Sequence, residues 1–228
     1  MELCIRSERD QMKKIISKIL IVILLISSCI GTINVEPVTV NAATKTNWPK
    51  GPSIYGQTGV LIEASTGTVL YDKKCNKKMY PASITKIMTA LLTIENCKMD
   101  EMVTFSDATI HSIQYGDANM GCSVGEKMTV KDCLYALMLQ SANEVATALG
   151  EHIAGSTKNF AEMMNKRAKE AGALNTHFAN ANGLHDPNHY VTAYDMAMIT
   201  RAASKYSVFN DIVNDIAPKF KECDGIVI

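Results

Sequence analysis

Tyr80-Pro-Ala-Ser-Ile-Thr-Lys-Ile-Met-Thr-Ala-Leu-Leu-Thr-Ile-Glu95 decides how the rest of this chain is read. Pro81 disfavours helix at Tyr80 and suits a helix start, and from Ser83 to about Asn96 the residues favour a helix. Ile87, Met88, Leu91, Leu92 and Glu95 recur at three-to-four spacing, which predicts one largely apolar face. Ser83 and Lys86 stand three apart in the first turn, where side chains share a face and backbone N–H groups lack helical partners. A hydroxyl and an amine held there are either a nucleophile with its base or a helix cap beside a surface lysine. The first option has a chemical requirement. Lysine accepts a proton only when neutral, and its ordinary pKa of about 10.4 leaves about 0.04% neutral at pH 7. Burial, a helix N-terminus or a neighbouring cation has to lower it.

Upstream, the chain begins as a targeting segment. Arg6, Arg9, Lys13, Lys14 and Lys18 precede an uncharged apolar run from Ile19 to Ile30. At about 12 residues that run has the length of a signal-peptide core and falls short of the roughly 20 that a membrane span needs. Val40-Asn41-Ala42 offers a small-residue cleavage site before Ala43, so residues 1–42 are expected to be a signal peptide and the protein to be exported. An uncleaved anchor, or a lipoprotein processed at Ile26-Ser27-Ser28-Cys29, are the alternatives. Residues 43–58 are polar and rich in proline and glycine, an expected lead-in linker. The domain is expected over 59–228, long enough for one real core.

The 228 residues carry 23 basic and 23 acidic side chains, and removing the leader changes the balance by a single charge. Nothing in that balance suits nucleic acid or an anionic membrane as partner, so membrane contact is expected only through the leader. Five cysteines remain after Cys4 and Cys29 go with the leader, in no C-x-x-C pattern, and most are expected to be small buried hydrophobes.

Gly59 to Tyr71 reads as a hairpin, two β-branched runs about a Ser65-Thr66-Gly67 turn. Residues 98–128 look irregular, with Met102–Phe105 and Met120–Val124 as strand pieces. Thr129-Val-Lys-Asp132 is a capping-box pattern opening a helix to Leu139. Ser141-Ala-Asn143 interrupts, and helical runs follow from Glu144 to Ile153 and from Thr157 to Ala171, the latter stopped by Gly172. Residues 173–190 are an Asn- and Gly-rich loop, and Thr192–Asp195 caps a helix to about Ser204. A hairpin followed by many helices is an α/β (α+β) chain.

Ser83-x-x-Lys86 and Ser141-x-Asn143 are each common by chance, and context raises their weight. One opens an apolar helix and the other sits at a break between helices, where side chains reach a cleft. Pro81 to Ala90, together with Gly125 to Asn143, resembles the low-molecular-weight penicillin-binding proteins, and more closely the serine-type D-alanyl-D-alanine carboxypeptidases. Gly59 to Tyr71 resembles that family's N-terminal hairpin, and Asn182-Gly-Leu-His-Asp-Pro-Asn-His-Tyr-Val-Thr-Ala-Tyr-Asp-Met-Ala197 another of its signatures. The resemblance implies a β-lactamase/transpeptidase-like fold and the removal of the terminal D-alanine from peptidoglycan stem peptides. It implies Ser83 as the acylated nucleophile, Lys86 as its proton acceptor and Ser141 as proton relay to the leaving D-alanine. Asn143 is implied to orient substrate and Lys86. β-Lactams are the implied slow-leaving ligands, no cofactor or metal is expected, and the location is the cell wall or outer face of the cytoplasmic membrane.

One family motif is missing. No Lys-Thr-Gly, whose lysine binds the substrate carboxylate in the family, occurs before Ile228, although Cys223-Asp-Gly-Ile226 resembles its approach. The expectation is therefore a partial catalytic domain with an incomplete sheet, and a catalytically incomplete domain is the alternative function. A serine β-lactamase shares the first two motifs, but the region of its deacylating glutamate reads Asn175-Thr-His-Phe-Ala-Asn180 here, with no acid. His185 and His189 flank Pro187, which spoils the helix a two-histidine metal motif needs, so a structural loop is expected. His111, His152 and His177 stand isolated.

Overall fold

The structure, a computed structural model, describes residues 51–216. The expected leader, the first part of the lead-in and Cys223-Asp-Gly-Ile226 lie outside the described residues. Among the described residues no helix is long and apolar enough to cross a membrane.

Strands β1 (Gly59–Ile62) and β2 (Val69–Lys73) form the expected antiparallel hairpin. Its turn is organised by one carboxylate. Glu63 accepts hydrogen bonds from the Ser65 and Thr66 backbone N–H groups and from both hydroxyls, led by the Thr66 side chain, which hold its pKa down at about 2. After a 3-10 turn (Ala82–Thr85), helix α1 runs Lys86–Asn96. Strand β3 (Met102–Thr104) and the short helix α2 (Asp107–His111) follow. Then come β4 (Lys127–Thr129), α3 (Val130–Leu139), α4 (Asn143–Ala154) and α5 (Thr157–Glu170). Helices α6 (Ala193–Ala203) and α7 (Ser207–Ile216) close the described chain. The two described sheets, β1-β2 and β3-β4, have two strands each, so the sheet is incomplete as expected.

The caps behave as the sequence implies. Thr129 and Thr192 accept from the Asp132 and Asp195 N–H groups at 3.1 and 3.0 Å, and Gly155 leaves α4 in the left-handed conformation at φ 72°. Three expectations change. The turn that carries Ser83 is 3-10 rather than α. Met120–Val124 is loop, because left-handed Gly121 and Gly125 bend the chain and the ladder to β3 forms further on, with Phe105 N–H bonding Glu126 O at 2.9 Å. Beyond Ser204 the chain makes a further helix, α7, whose Phe209 and Ile212 are buried.

Helix α1 is the axis of the fold. It packs against α3, α4, α5, α6 and α7. The expected single apolar stripe is an underestimate, because Met88, Ala90, Leu91 and Leu92 are all buried, and Thr85, Thr89 and Thr93 with them. Glu95 is no part of an apolar face. Arg167 of α5 meets its carboxylate with three N–H contacts of 2.8 to 3.1 Å, and Tyr206 donates to it at 2.9 Å. Burial opposes ionisation of Glu95, but these bonds outweigh it and hold the carboxyl below its ordinary pKa.

Leu91→Ala is expected to cost about 2–5 kcal/mol in denaturant unfolding, since the side chain is fully enclosed. Leu139→Ala, on a residue 47% exposed, is expected to cost less than about 1 kcal/mol.

Candidate active site

Pro81 and the 3-10 turn place Ser83 at the entrance to α1, with Lys86 as the first residue of the helix proper. The chain is pinned on its approach. Met79 pairs with Val191 through N–H···O bonds of 2.8 and 2.9 Å, which brings the Tyr80–Ser83 segment beside the loop at 179–189. Asn143 arrives from the first residue of α4. These elements enclose a cleft of about 350 Å³ lined by Ser83, Asn143, Asn182, Gly183, His185 and Asp186, among others.

Lys86 is 2% exposed, and its amine has three oxygen partners: Asn143 Oδ1 at 2.7 Å, Asn182 O at 2.8 Å and Ser83 Oγ at 3.3 Å. The three differ in kind. With its oxygen turned to the amine Asn143 only accepts, and so does a backbone carbonyl, whereas a serine hydroxyl also has a proton to give. A neutral amine has two N–H groups and one lone pair. Its hydrogens satisfy the two shorter bonds, and the lone pair then faces Ser83 Oγ. Burial pushes the Lys86 ammonium from 10.5 down to about 8, with the Asp117 and Glu144 carboxylates pulling the other way. At pH 7 about a tenth of the side chains are then neutral, a few-hundred-fold more than for a free lysine. The arrangement can move a proton from Ser83 to Lys86.

The expected residues thus come together in part. Ser83, Lys86 and Asn143 are in one hydrogen-bonded group. Ser141 lies two residues before Asn143 with its Oγ buried and without a hydrogen-bond partner among the described residues. Its φ is +55°, and Ala82, beside Ser83, has φ +49°. Left-handed backbone at non-glycine residues costs of order 1–3 kcal/mol, and of the three described instances Ala82 lines this cleft and Ser141 lies two residues before Asn143, which also lines it.

The 179–189 loop contributes more than its motif announces. Along one side of α1, Thr89 Oγ1 donates to Ala181 O at 2.6 Å, Lys86 Nζ to Asn182 O, and Thr85 Oγ1 meets His189 Nε2 at 2.9 Å. The Ala179 N–H donates to His189 Nδ1 at 3.3 Å, so the proton of the neutral ring sits on Nε2 and is given to Thr85. Burial pushes the His189 pKa down to about 4, which keeps the ring neutral. This matches the expected structural loop. Gly183, at φ +89°, lets the loop touch the Ala82–Thr85 turn, since a Cβ there would overlap Ala82 O. Asn182 and Gly183 were missed as site residues because one acts through its backbone carbonyl and the other through having no side chain. The Asn-Gly pair within the quoted signature was the available signal.

The four cysteines among the described residues are free, with Cys75 and Cys133 buried and Cys97 and Cys122 partly so.

A helical lobe with a buried lysine, a serine one helical turn before it and an asparagine from a second helix defines a penicillin-recognising serine hydrolase fold. Solved structures share it: penicillin binding protein 6B from Escherichia coli superposes with a TM-score of 0.69 at 28% identity, covering 75% of this chain and 57% of that one. The D-alanyl-D-alanine carboxypeptidase DacD from Francisella tularensis does so at 0.64 and 30% identity, covering 77% and 45%. Residues 43–222 match the model of the peptidase S11, D-alanyl-D-alanine carboxypeptidase, family, and the chain belongs to that family. D-alanyl-D-alanine carboxypeptidase DacF of Bacillus subtilis is 42% identical over 155 residues, which are 66% of this chain and 39% of that protein. The chain thus spans about two fifths of the length of that relative.

Gly183→Ala is expected to push the loop off the Ala82–Thr85 turn and lengthen the Lys86–Asn182 bond. The expected readout is at least a tenfold slower acylation by labelled penicillin with a melting temperature lowered by several degrees, the strain being both steric and conformational.

Proposed function

We propose that this chain is the serine acyl-enzyme part of a D-alanyl-D-alanine carboxypeptidase acting on peptidoglycan stem peptides. The observation that carries the reading is the buried Lys86 amine, whose two carbonyl partners leave its lone pair to Ser83. Ser83 Oγ attacks the carbonyl between the two terminal D-alanines while its proton passes to Lys86 Nζ. Collapse of the tetrahedral intermediate breaks the C–N bond, and D-alanine leaves after its amine takes a proton, with Ser141 as the proposed relay. Asn143 holds Lys86 and the substrate amide. Water then hydrolyses the ester on Ser83. A β-lactam forms the same ester by ring opening and leaves slowly.

A second reading, an acylating but poorly hydrolysing domain, is favoured by one observation. Among the described residues no lysine or arginine besides the buried Lys86 stands at the cleft, so they offer the terminal carboxylate of a stem peptide no second cation. A serine β-lactamase is less favoured, because Asn175-Thr-His-Phe-Ala-Asn180, where that class carries its deacylating glutamate, holds no acid.

We also propose that residues 1–42 are a cleaved signal peptide, residues 43–58 a lead-in and residues 59–228 the catalytic region, with the protein working outside the cytoplasm. The basic and apolar pattern of the leader supports this, as does the family match beginning at Ala43.

Incubation with labelled penicillin followed by intact-mass measurement is expected to show one adduct on the wild-type chain and none on Ser83→Ala. A folded wild type without adduct would remove the proposal. The acylation rate is expected to rise with pH and level off above about 8, because the unprotonated form of Lys86 is the active one. A profile flat between pH 6 and 9 would exclude Lys86 as base. In the exporting cell, sequencing of the mature N-terminus is expected to begin at Ala43, and a product retaining Met1 would refute cleavage.

A further inference from the structure

Two side chains four residues apart, Cys97 and Glu101, meet a third, His152, 51 residues beyond Glu101, at the end of α1 remote from Ser83. Cys97 caps the C-terminus of α1, Glu101 lies in the connection to β3, and His152 is in the last turn of α4. Their ligating atoms, one thiol sulfur, one carboxylate oxygen and one imidazole nitrogen, all lie within 4.8 Å of one another. We propose that Cys97 Sγ, Glu101 Oε2 and His152 Nε2 bind a divalent cation of the zinc class, with water in the fourth position.

Three observations support this. First, His152 Nε2 and Glu101 Oε2 are 3.3 Å apart. The N···O edge of a tetrahedral zinc site, built from bonds of about 2.0–2.1 Å, is also about 3.3 Å. The thiol has to move inward by only about 1 Å to complete the face. Second, the ligands are held from outside the site. Glu101 Oε1 is occupied by the Lys98 N–H at 2.9 Å, which leaves Oε2 to the cation, and Glu101 O accepts from Val130 N–H at 2.8 Å. Third, α1 and α4 both end here, so the negative ends of two helix dipoles face the same point. The donor set of thiolate, imidazole and carboxylate matches zinc-class cations better than calcium or magnesium, which prefer all-oxygen sites.

Binding converts the Cys97 thiol to a thiolate, its proton leaving to solvent as the S–M bond forms, with no change of oxidation state. The eleven residues of α1 separate this point from Lys86 by about 16 Å at 1.5 Å per residue, so the cation takes no direct part at Ser83.

Cobalt(II) is the suitable probe, added to the tag-free, metal-stripped chain. One equivalent is expected to give a thiolate-to-cobalt charge-transfer band and the intense visible bands of four-coordinate cobalt, with zinc(II) displacing it. Cys97→Ala is expected to abolish the charge-transfer band and His152→Ala to weaken cobalt binding at least tenfold, while Cys75→Ala, a distant thiol, leaves both unchanged. Circular dichroism confirms that each variant is folded. Absence of a charge-transfer band at one equivalent in the folded wild type would overturn the proposal. So would a band that persists in Cys97→Ala, since the sulfur would then come from elsewhere.

Discussion

A lysine amine shut inside the protein with three oxygens around it is the constraint on which the rest of this structure depends. Removing an ammonium from water is unfavourable unless its hydrogens are matched, and the fold matches them by bringing two distant segments to the first turn of α1. Asn143 comes from the start of α4 and the Asn182 carbonyl from the 179–189 loop. The position of both is therefore a condition of burying Lys86 at all. The match is complete for the charged amine and leaves one lone pair directed at Ser83 for the neutral one. The same cage serves both protonation states, which is what a group that must gain and lose a proton requires.

The seam between α1 and the loop shows how that cage is kept rigid. Thr85, Lys86 and Thr89 each make a hydrogen bond across it, and all three are buried. Because His189 stays neutral, the seam contains dipoles and a single titrating group, Lys86. A protonated histidine next to Thr85 would place a second cation near the amine and would cost the loop its bond from the Ala179 N–H. The left-handed Ala82 sits beside this seam, where the loop glycine Gly183 packs directly on its carbonyl. Such backbone persists where surrounding contacts over-determine it, and at Ala82 the bonds of the neighbouring Thr85 and Lys86 to the loop do so.

Much of this could be read from the residues in order. Capping at Thr129 and Thr192, the hairpin at Gly59–Tyr71 and the Ser83–Lys86 relation are local, and local spacing is what sequence displays most directly. The Asn143 contact was accessible only through family resemblance, since 57 residues separate it from Lys86. What escaped was of three kinds. Backbone groups such as the Asn182 carbonyl have no residue-specific signal. The register of β4 depended on two left-handed glycines, and an apolar pattern in Met120–Val124 competed with it. The partners of Glu95 and His152 lie far along the chain. Glu95 read as part of a helix face and His152 as an isolated histidine until Arg167 met the one and Glu101 the other.

Helices α1 and α4 begin together, at Lys86 and Asn143, and end together, near Cys97 and His152. They form a parallel pair with functional groups fixed at both ends. Each residue of an α-helix turns the chain by about 100°, so one inserted or deleted residue in either helix would rotate everything beyond it out of register. An asparagine set correctly on Lys86 would then leave His152 pointing elsewhere, and the reverse. The lengths of the two helices are tied to each other, as the two arms of a mechanical linkage are.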